Sequence, residues 1–581
     1  MRSVVSGSLV ATAVMWVLVV APAGRAAAPT GAAAAFQRGL TALHQFEYED
    51  ANEAFRQAGE LDPGFVMAYW GEAMTYHQTL WRHENVEAAR LTLARLGPTP
   101  AARRAKTSSP KEQAWLGAVE ILFGDGDAET RRRSYADTMG QLHAREPDDP
   151  DVASLYALAL LGTMSRSLIG YVDAHEGHSQ SLAGSAIQTQ VAEILEGVLR
   201  SHPEHPGALH YLLHNQDDPA HARRALDAAR TLARLAPESS HTRHMPAHIF
   251  LQLGLWQDAA GSDRAAFAAS EAWIARKRLA PAMRNYHALA WLQYELLQLG
   301  KYRDAWATLD ELAPVVKTTG QLGLLSDLSS MRARYVIETS AWPLMAGENN
   351  FGNANELFAI GMSAAHAGDS ARAERARGGL AERVQDPREG DLRPAIALME
   401  LEVRAAIAHA AGRGDEAVRI LQAAAGREAQ LPEPLGLPAP IKPAPEMLGE
   451  VLVALGRPVE AVPFFEQALR RNPNRSLSVL GLARAAAAAG NTAEARRRYG
   501  ALLSNFDQAD ADLPLLQEAR AALGPPPSTR YARPFGAMAI VTVTILGLVG
   551  AALLVWGKKQ PTKKKGPVSR ARQKAVAKRR R

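Results

Sequence analysis

Between Gly31 and Arg520 apolar residues recur at three- and four-residue intervals, Ala and Leu supply most of them, and alternating β-branched runs are rare. That is the period of a helix buried along one face, so the pattern predicts helix almost throughout. A longer period lies over it. Ala461 and Ala495 are 34 residues apart, as are Phe465 and Tyr499. Leu448, Gly449, Ala461, Phe465, Ala468 and Pro473 fill one unit, and Val479, Leu482, Ala483, Ala495 and Tyr499 fill the next. Gly39, Ala51, Phe55, Ala58 and Pro63 fit the same frame near the start. A glycine followed five residues later by alanine recurs at Gly254/Ala259, Gly300/Ala305, Gly368/Ala373, Gly412/Ala417, Gly456/Ala461 and Gly490/Ala495. Such a glycine ends one helix in the left-handed region, and the alanine lets the next helix approach closely.

Thirty-four residues is the period of the tetratricopeptide helix pair. The expected fold is all-α, a tetratricopeptide-like α-solenoid of irregular helix-pair repeats, plus one C-terminal transmembrane helix. Residues 29–318 form an N-terminal solenoid and 319–430 further helical repeats. The six prolines of 431–445 predict a stiff linker to a final repeat pair at 446–522, and 523–534 is a second Pro-rich linker. Both ends carry membrane signals. Residues 1–28, with an apolar run from Leu9 to Ala21 before small residues, read as a secretory signal peptide, with an uncleaved anchor as the alternative. Phe535–Trp556 holds 22 residues without a charge, long enough to span a bilayer. The basic tail 557–581 then places the C-terminus in the cytoplasm and the body outside it, as a single-pass protein of the cell membrane.

Composition sharpens this picture in two ways. The net charge of +6 belongs to the tail: without its twelve Lys/Arg the chain is at −6, which argues against nucleic-acid binding by the body. The tail itself suits anionic lipid headgroups or a plain stop-transfer flank. The chain has no cysteine, which excludes disulfides and thiolate metal sites, so a transition metal would need His, Asp or Glu.

Histidine is where the chemistry concentrates. His205, His210, His214, His221, His241, His244 and His248 fall within one stretch, seven of 17 in the chain. His210/His214 and His244/His248 are both i, i+4 pairs, each on one helix face, and the pairs are 34 residues apart. In the repeat frame, units start at Pro206, Ser240 and Tyr286. His210 and His214 are then positions 5 and 9 of one unit, and His241, His244 and His248 positions 2, 5 and 9 of the next. His287 is position 2 of the third. In arrays of this class these positions line the concave groove. One expectation is a four-nitrogen set, His210, His214, His244 and His248, for a divalent transition metal (Zn, Cu or Fe), with Asp217, Asp218 or Glu72 as ligand or orienter. The others are a groove in which the six histidines hold a peptide or protein partner, or a purely structural hydrogen-bonded floor.

The segments HPGALHYLLHNQDDPAHA (205–222) and HTRHMPAHIFLQLGLW (241–256) resemble signatures of a family of exported bacterial tetratricopeptide-repeat proteins, which read HPGxxHYLIHAYDDP and HAxHMPSHIFxxLGxW. Segments 68–81, 147–163 and 285–300 resemble further blocks of that family, so the likeness runs from Phe36 to Val315. Asn215-Gln216 stand in place of Ala-Tyr, Ala247 in place of Ser and His77-Gln78 in place of Asn-His. The resemblance implies the repeat fold and export, and no activity.

The remaining motifs are bland. His175-Glu176-Gly177-His178 is one residue short of the zinc-protease spacing. Asp148, Asp149 and Asp151 suit a helix start, and Trp70, Tyr76 and Trp81 suit core packing more than a pocket wall. No phosphate loop, dinucleotide fingerprint or nucleophile elbow is present, and no catalytic residue stands out. The sequence thus points to a membrane-anchored scaffold that engages a peptide or protein in its groove. The alternatives are a metal-binding protein or metal-dependent enzyme built on the histidines, and a structural subunit of an envelope complex.

Overall fold

The six Gly/Ala turns form as their chemistry requires. Gly254, Gly300, Gly368, Gly412, Gly456 and Gly490 all adopt positive φ, between 64° and 77°, and the six alanines that follow are buried. Each turn joins two helices that pack side by side, as Trp256–Lys277 does on Ser240–Gln252 and Thr492–Asn505 on Ser476–Ala488. The computed structural model describes residues 31–164, 186–235, 238–345, 353–432 and 434–524. Among these are 25 α-helices, three short 3-10 segments and one two-stranded ribbon, His77–Gln78 against His83–Glu84. Successive helices pack mainly on their chain neighbours, which is the architecture of a helical-hairpin repeat array.

The repeat consensus is a packing rule about one phenylalanine per unit. Phe55 and Phe465 are both fully buried, each clamped between glycines 32 residues apart. A Cβ on Gly39 or Gly71 would lie 2.7 or 2.4 Å from the Phe55 ring, and one on Gly449 or Gly481 would lie 2.7 or 2.1 Å from the Phe465 ring. The phenyl group fills the gap between a unit and its successor only because both facing helices lack a side chain there. Gly481→Ala is therefore expected to destabilise the array by about 1–3 kcal/mol through overpacking. The denaturant midpoint checks this, and Phe465→Leu in the same chain should recover part of the loss.

Two elements depart from the sequence expectation. The Pro-rich stretch 431–445 is a packed insert. Ile441 and Lys442 are buried, Gln252 donates to the Pro434 carbonyl at 2.8 Å, and Arg334 donates to that of Pro438 at 3.4 Å. The described residues up to Leu523 accordingly form one compact unit, with no boundary at 431. Proline leaves a chain without donors but with every carbonyl, and those carbonyls here serve neighbouring side chains.

The final repeat pair also turns back onto the middle of the array. Trp256 donates to the Asn474 carbonyl at 2.9 Å, Asp510 donates its backbone N–H to Gly300 at 3.0 Å, and Arg303 pairs with Asp512. At the centre of this contact Arg475, with no exposed surface, binds Glu446 at 2.7 and 3.0 Å, Glu338 at 2.6 Å and Tyr294 at 3.3 Å. Lys442 reaches Glu446 at 3.1 Å and Glu450 at 2.8 Å. Burial pushes the Glu446 carboxyl up, but Arg475 and Lys442 outweigh it and hold the group down at about 2.

Among the described residues no helix is long and apolar enough to cross a membrane. The expected signal peptide 1–28, the span Phe535–Trp556, the basic tail and the His175–His178 motif lie outside the described residues.

Candidate metal centres

Three helices carry the histidines: Pro206–Asn215, Ser240–Gln252 and Tyr286–Gln298. Each begins where the repeat frame places a unit start. Local sequence fixes the starts. His205 caps the first by accepting from the Ala208 N–H at 3.1 Å, Ser239 the second from Thr242 at 3.1 Å, and Asn285 the third from Ala288 at 2.9 Å. Asp218-Pro219 forms a turn, with the helix that follows running from Ala222 to Leu235. Asp218 accepts the Ala220 and His221 N–H groups, both at 3.0 Å.

The four histidines expected as one set divide between two sets of three. His210 and His214 are joined by His241, and His244 and His248 are joined by His287; in each set the candidate ligand nitrogens lie within 4.8 Å of one another. The Nε2 atom of His210 is 3.1 Å from both His214 Nε2 and His241 Nε2. The Nε2 atom of His244 is 2.9 Å from His248 Nε2 and 3.0 Å from His287 Nε2. Both sets use one rule: positions 5 and 9 of a unit, plus position 2 of the next. The offset between neighbouring helices brings position 2 of the later one beside position 5 of the earlier. The i, i+4 pairs are legible in sequence, whereas this cross-helix partner depends on how units stack.

The outer face of the rings is fixed in each set. His210 Nδ1 donates to the His44 carbonyl at 2.7 Å. His248 Nδ1 donates to Asp217 at 2.7 Å, and His244 Nδ1 donates to Asp263, which has no exposed surface. Of the carboxylates named from sequence, Asp217 is thus an orienter. Asp218 binds His221 and Gln188 instead, and Glu72 binds Arg95 and Thr92. Asp263 carries no sequence signal beyond lying one helix further on. Burial pushes the Glu295 carboxyl beside it up to about 8, against the hydrogen bond it shares with Asp263.

These hydrogen bonds dictate which nitrogen carries the proton. A ring that donates from Nδ1 presents a lone pair at Nε2 when neutral. His244 and His248 both do so, and their Nε2 atoms are 2.9 Å apart. Two lone pairs that close repel unless a proton or a cation sits between them. Three imidazole nitrogens on one tetrahedral ion at about 2.0–2.1 Å would themselves stand roughly 3.3 Å apart, near the observed spacing. Neutral imidazole suits Zn, Cu, Fe and Ni, and carboxylate-braced rings are the usual support of such sites.

Aromatic rings cover both sets. Phe46, at φ 60°, stands 4.5 Å from His210 and 5.6 Å from His241, ring centre to ring centre, and Trp81 lies 5.4 Å from His241. Trp291 lies 4.3 Å from His248 and 4.9 Å from His244, and Gly436 of the Pro-rich insert passes over it where a Cβ would be 2.8 Å away. His210 and His244 have no exposed surface and His248 has 2%, while His214, His241 and His287 are partly buried. The histidine face is thus largely closed off by the chain's own aromatic rings and insert. Access remains on one side, through a cavity of about 320 Å³ lined by His241 of one set and His287 of the other.

A third cluster lies beyond Phe46. Asp151 accepts from His44 at 2.9 Å and from His205 at 3.1 Å, and His44 Nδ1 meets the Tyr211 hydroxyl at 2.9 Å. Burial lowers the pKa of His44 and outweighs the hydrogen bond and charge of Asp151, which raise it. Every nitrogen of this cluster has a partner from the protein, and Asp149 and Asp151 also serve the start of helix Pro150–Thr163.

Comparison with known proteins agrees with the repeat reading at the C-terminal end. No curated protein matches the chain. The crystal structure of the APC/C hetero-tetramer Cut9-Hcn1 is similar at 12% identity, covering 83% of this chain and 95% of that one with a TM-score of 0.27. The crystal structure of yeast Tom70 is similar at 14% identity, covering 84% and 95% with a TM-score of 0.25. Residues 452–523, the final helix pairs, match the tetratricopeptide repeat family model.

Proposed function

We propose that this helical-repeat protein binds two divalent transition-metal ions, one on His210, His214 and His241 and one on His244, His248 and His287. The observation that carries the reading is the 2.9 Å approach of His244 Nε2 to His248 Nε2 while each ring donates from Nδ1 to an aspartate. Without an ion that contact requires an extra shared proton; with one it is the ordinary geometry of a histidine site. A donor set of six neutral imidazoles supplies nitrogen only, which suits Zn, Cu, Fe or Ni.

Metal analysis of the full chain purified without chelator tests this. Two ions per chain are expected, with a rise in Tm on adding Zn(II) or Cu(II) to the chelated protein. Less than half an ion per chain, with no shift in Tm, would overturn it.

The scaffold around the centres is of a kind suited to protein–protein contact, and the match of residues 452–523 to the tetratricopeptide repeat supports a protein or peptide partner as well. Such a partner would use surfaces other than the histidine face, which the aromatic rings and the Pro-rich insert cover. The uncharged run Phe535–Trp556 and the basic tail after it support a membrane anchor with the body outside the cytoplasm. A reporter fused after Arg581 that is active only outside the cytoplasm would refute that topology.

A further inference from the structure

The two histidine sets are neighbours by construction. His241 and His244 are three residues apart on one helix, a rise of about 4.5 Å, and belong to different sets. One set lies between helices Pro206–Asn215 and Ser240–Gln252, the other between Ser240–Gln252 and Tyr286–Gln298. Adjacent helices pack about 8–10 Å apart, so two ions would sit roughly 5–10 Å from each other. The cavity of about 320 Å³ opens on both, touching His241 and His287.

Charge says what would enter it. Two divalent ions on six neutral imidazoles carry four positive charges. Asp217 and Asp263 return two, both on the second set, whereas His210 in the first set is braced by a neutral carbonyl. The remaining positive charge has to be met by an anion, because an uncompensated buried charge is costly. The cavity wall offers donors for one. The indole N–H of Trp273 and the Nε of Arg284 are buried without a hydrogen-bond partner, while the Arg284 guanidinium lies 3.6 Å from Glu271 and 3.5 Å from Glu311. Glu47 and Glu238 also line the cavity; Glu47 is raised to about 7 by burial, and Glu238 is exposed.

We propose that the two three-histidine sets act as one paired metal centre that takes a small anionic ligand through the cavity between His241 and His287, with Trp273 and Arg284 as its donors. The pairing rests on the two-ion reading above, and the test separates the two. The full chain is loaded with Cu(II), examined by electron paramagnetic resonance, and titrated with azide as the probe anion. Two Cu(II) per chain with mutually broadened signals are expected, while His210→Ala and His248→Ala should each leave one Cu(II) with an unbroadened signal. Azide should bind the paired centre at least tenfold more tightly than either single-ion variant, and Trp273→Phe should weaken it about tenfold with copper content unchanged. Two ions giving a simple sum of the two single-site spectra, or azide affinity unaltered in the single-ion variants and in Trp273→Phe, would overturn the pairing and leave the two-ion reading standing. Absence of bound copper would overturn both.

Discussion

A chain carrying His244→Ala will hold one metal ion where the native chain holds two. His244 is the middle member of its set, within 3.0 Å of both other Nε2 atoms, so its removal leaves two nitrogens, too few to hold an ion tightly. The first set shares no ligand with the second and should keep its ion. Asp263→Asn makes the complementary case. The amide cannot carry the charge that holds His244 Nδ1 protonated, so affinity at the second set should fall by about 10–100-fold with the stoichiometry of saturation still two. Calorimetric titration of each chelated variant with Zn(II) checks both. Two tight sites remaining in His244→Ala would overturn the assignment of the second set. A merely structural role for the imidazoles would leave no metal isotherm for either variant to alter.

Arg475→Ala will be the most destabilising single change in the final repeat. It removes the only cation in direct contact with both Glu446 and Glu338 among the described residues, in a place with no exposed surface. Breaking one partner out of a buried ionic cluster costs about 3–5 kcal/mol, because the buried Glu446 and Glu338 both lose the guanidinium they share and Lys442 reaches Glu446 alone of the two. The double variant Arg475→Met/Glu446→Gln should be milder than Arg475→Ala, since it removes a stranded charge along with its partner. Urea denaturation gives the difference, and hydrogen exchange should show Ser476–Ala488 losing protection first in Arg475→Ala. The pH dependence has a definite sign. Glu446 is held below its unfolded value, so the cluster's contribution is complete above about pH 4.5 and is lost as pH falls toward 2. Glu446→Gln should flatten that part of the acid-unfolding curve.

Local chemistry was enough for the helices, their turns and the unit starts. A glycine at positive φ and an alanine five residues on follow from side-chain size alone, and all six such turns form. The starts at Pro206, Ser240 and Tyr286 follow from a 34-residue period and from capping residues beside them. The i, i+4 histidine pairs were equally legible, because one helical turn fixes them.

What needed the tertiary structure was every relation between elements that no period encodes. The third ligand of each set comes from position 2 of the next unit, which depends on the rotation between units, so the sequence pattern suggested one set of four where packing makes two sets of three. Asp263 braces His244 from an adjoining helix, and Phe46 and the Gly436 segment over Trp291 close the histidine face from distant parts of the chain. The prolines of 431–445 read as a stiff spacer because proline composition specifies backbone stiffness and says nothing of what lies beside it. The sequence by itself determined the helix-pair array and put histidines at repeating positions. Only the tertiary structure decided which nitrogens meet, because contacts across helices are set by the stacking of units and the return of the last pair onto the middle.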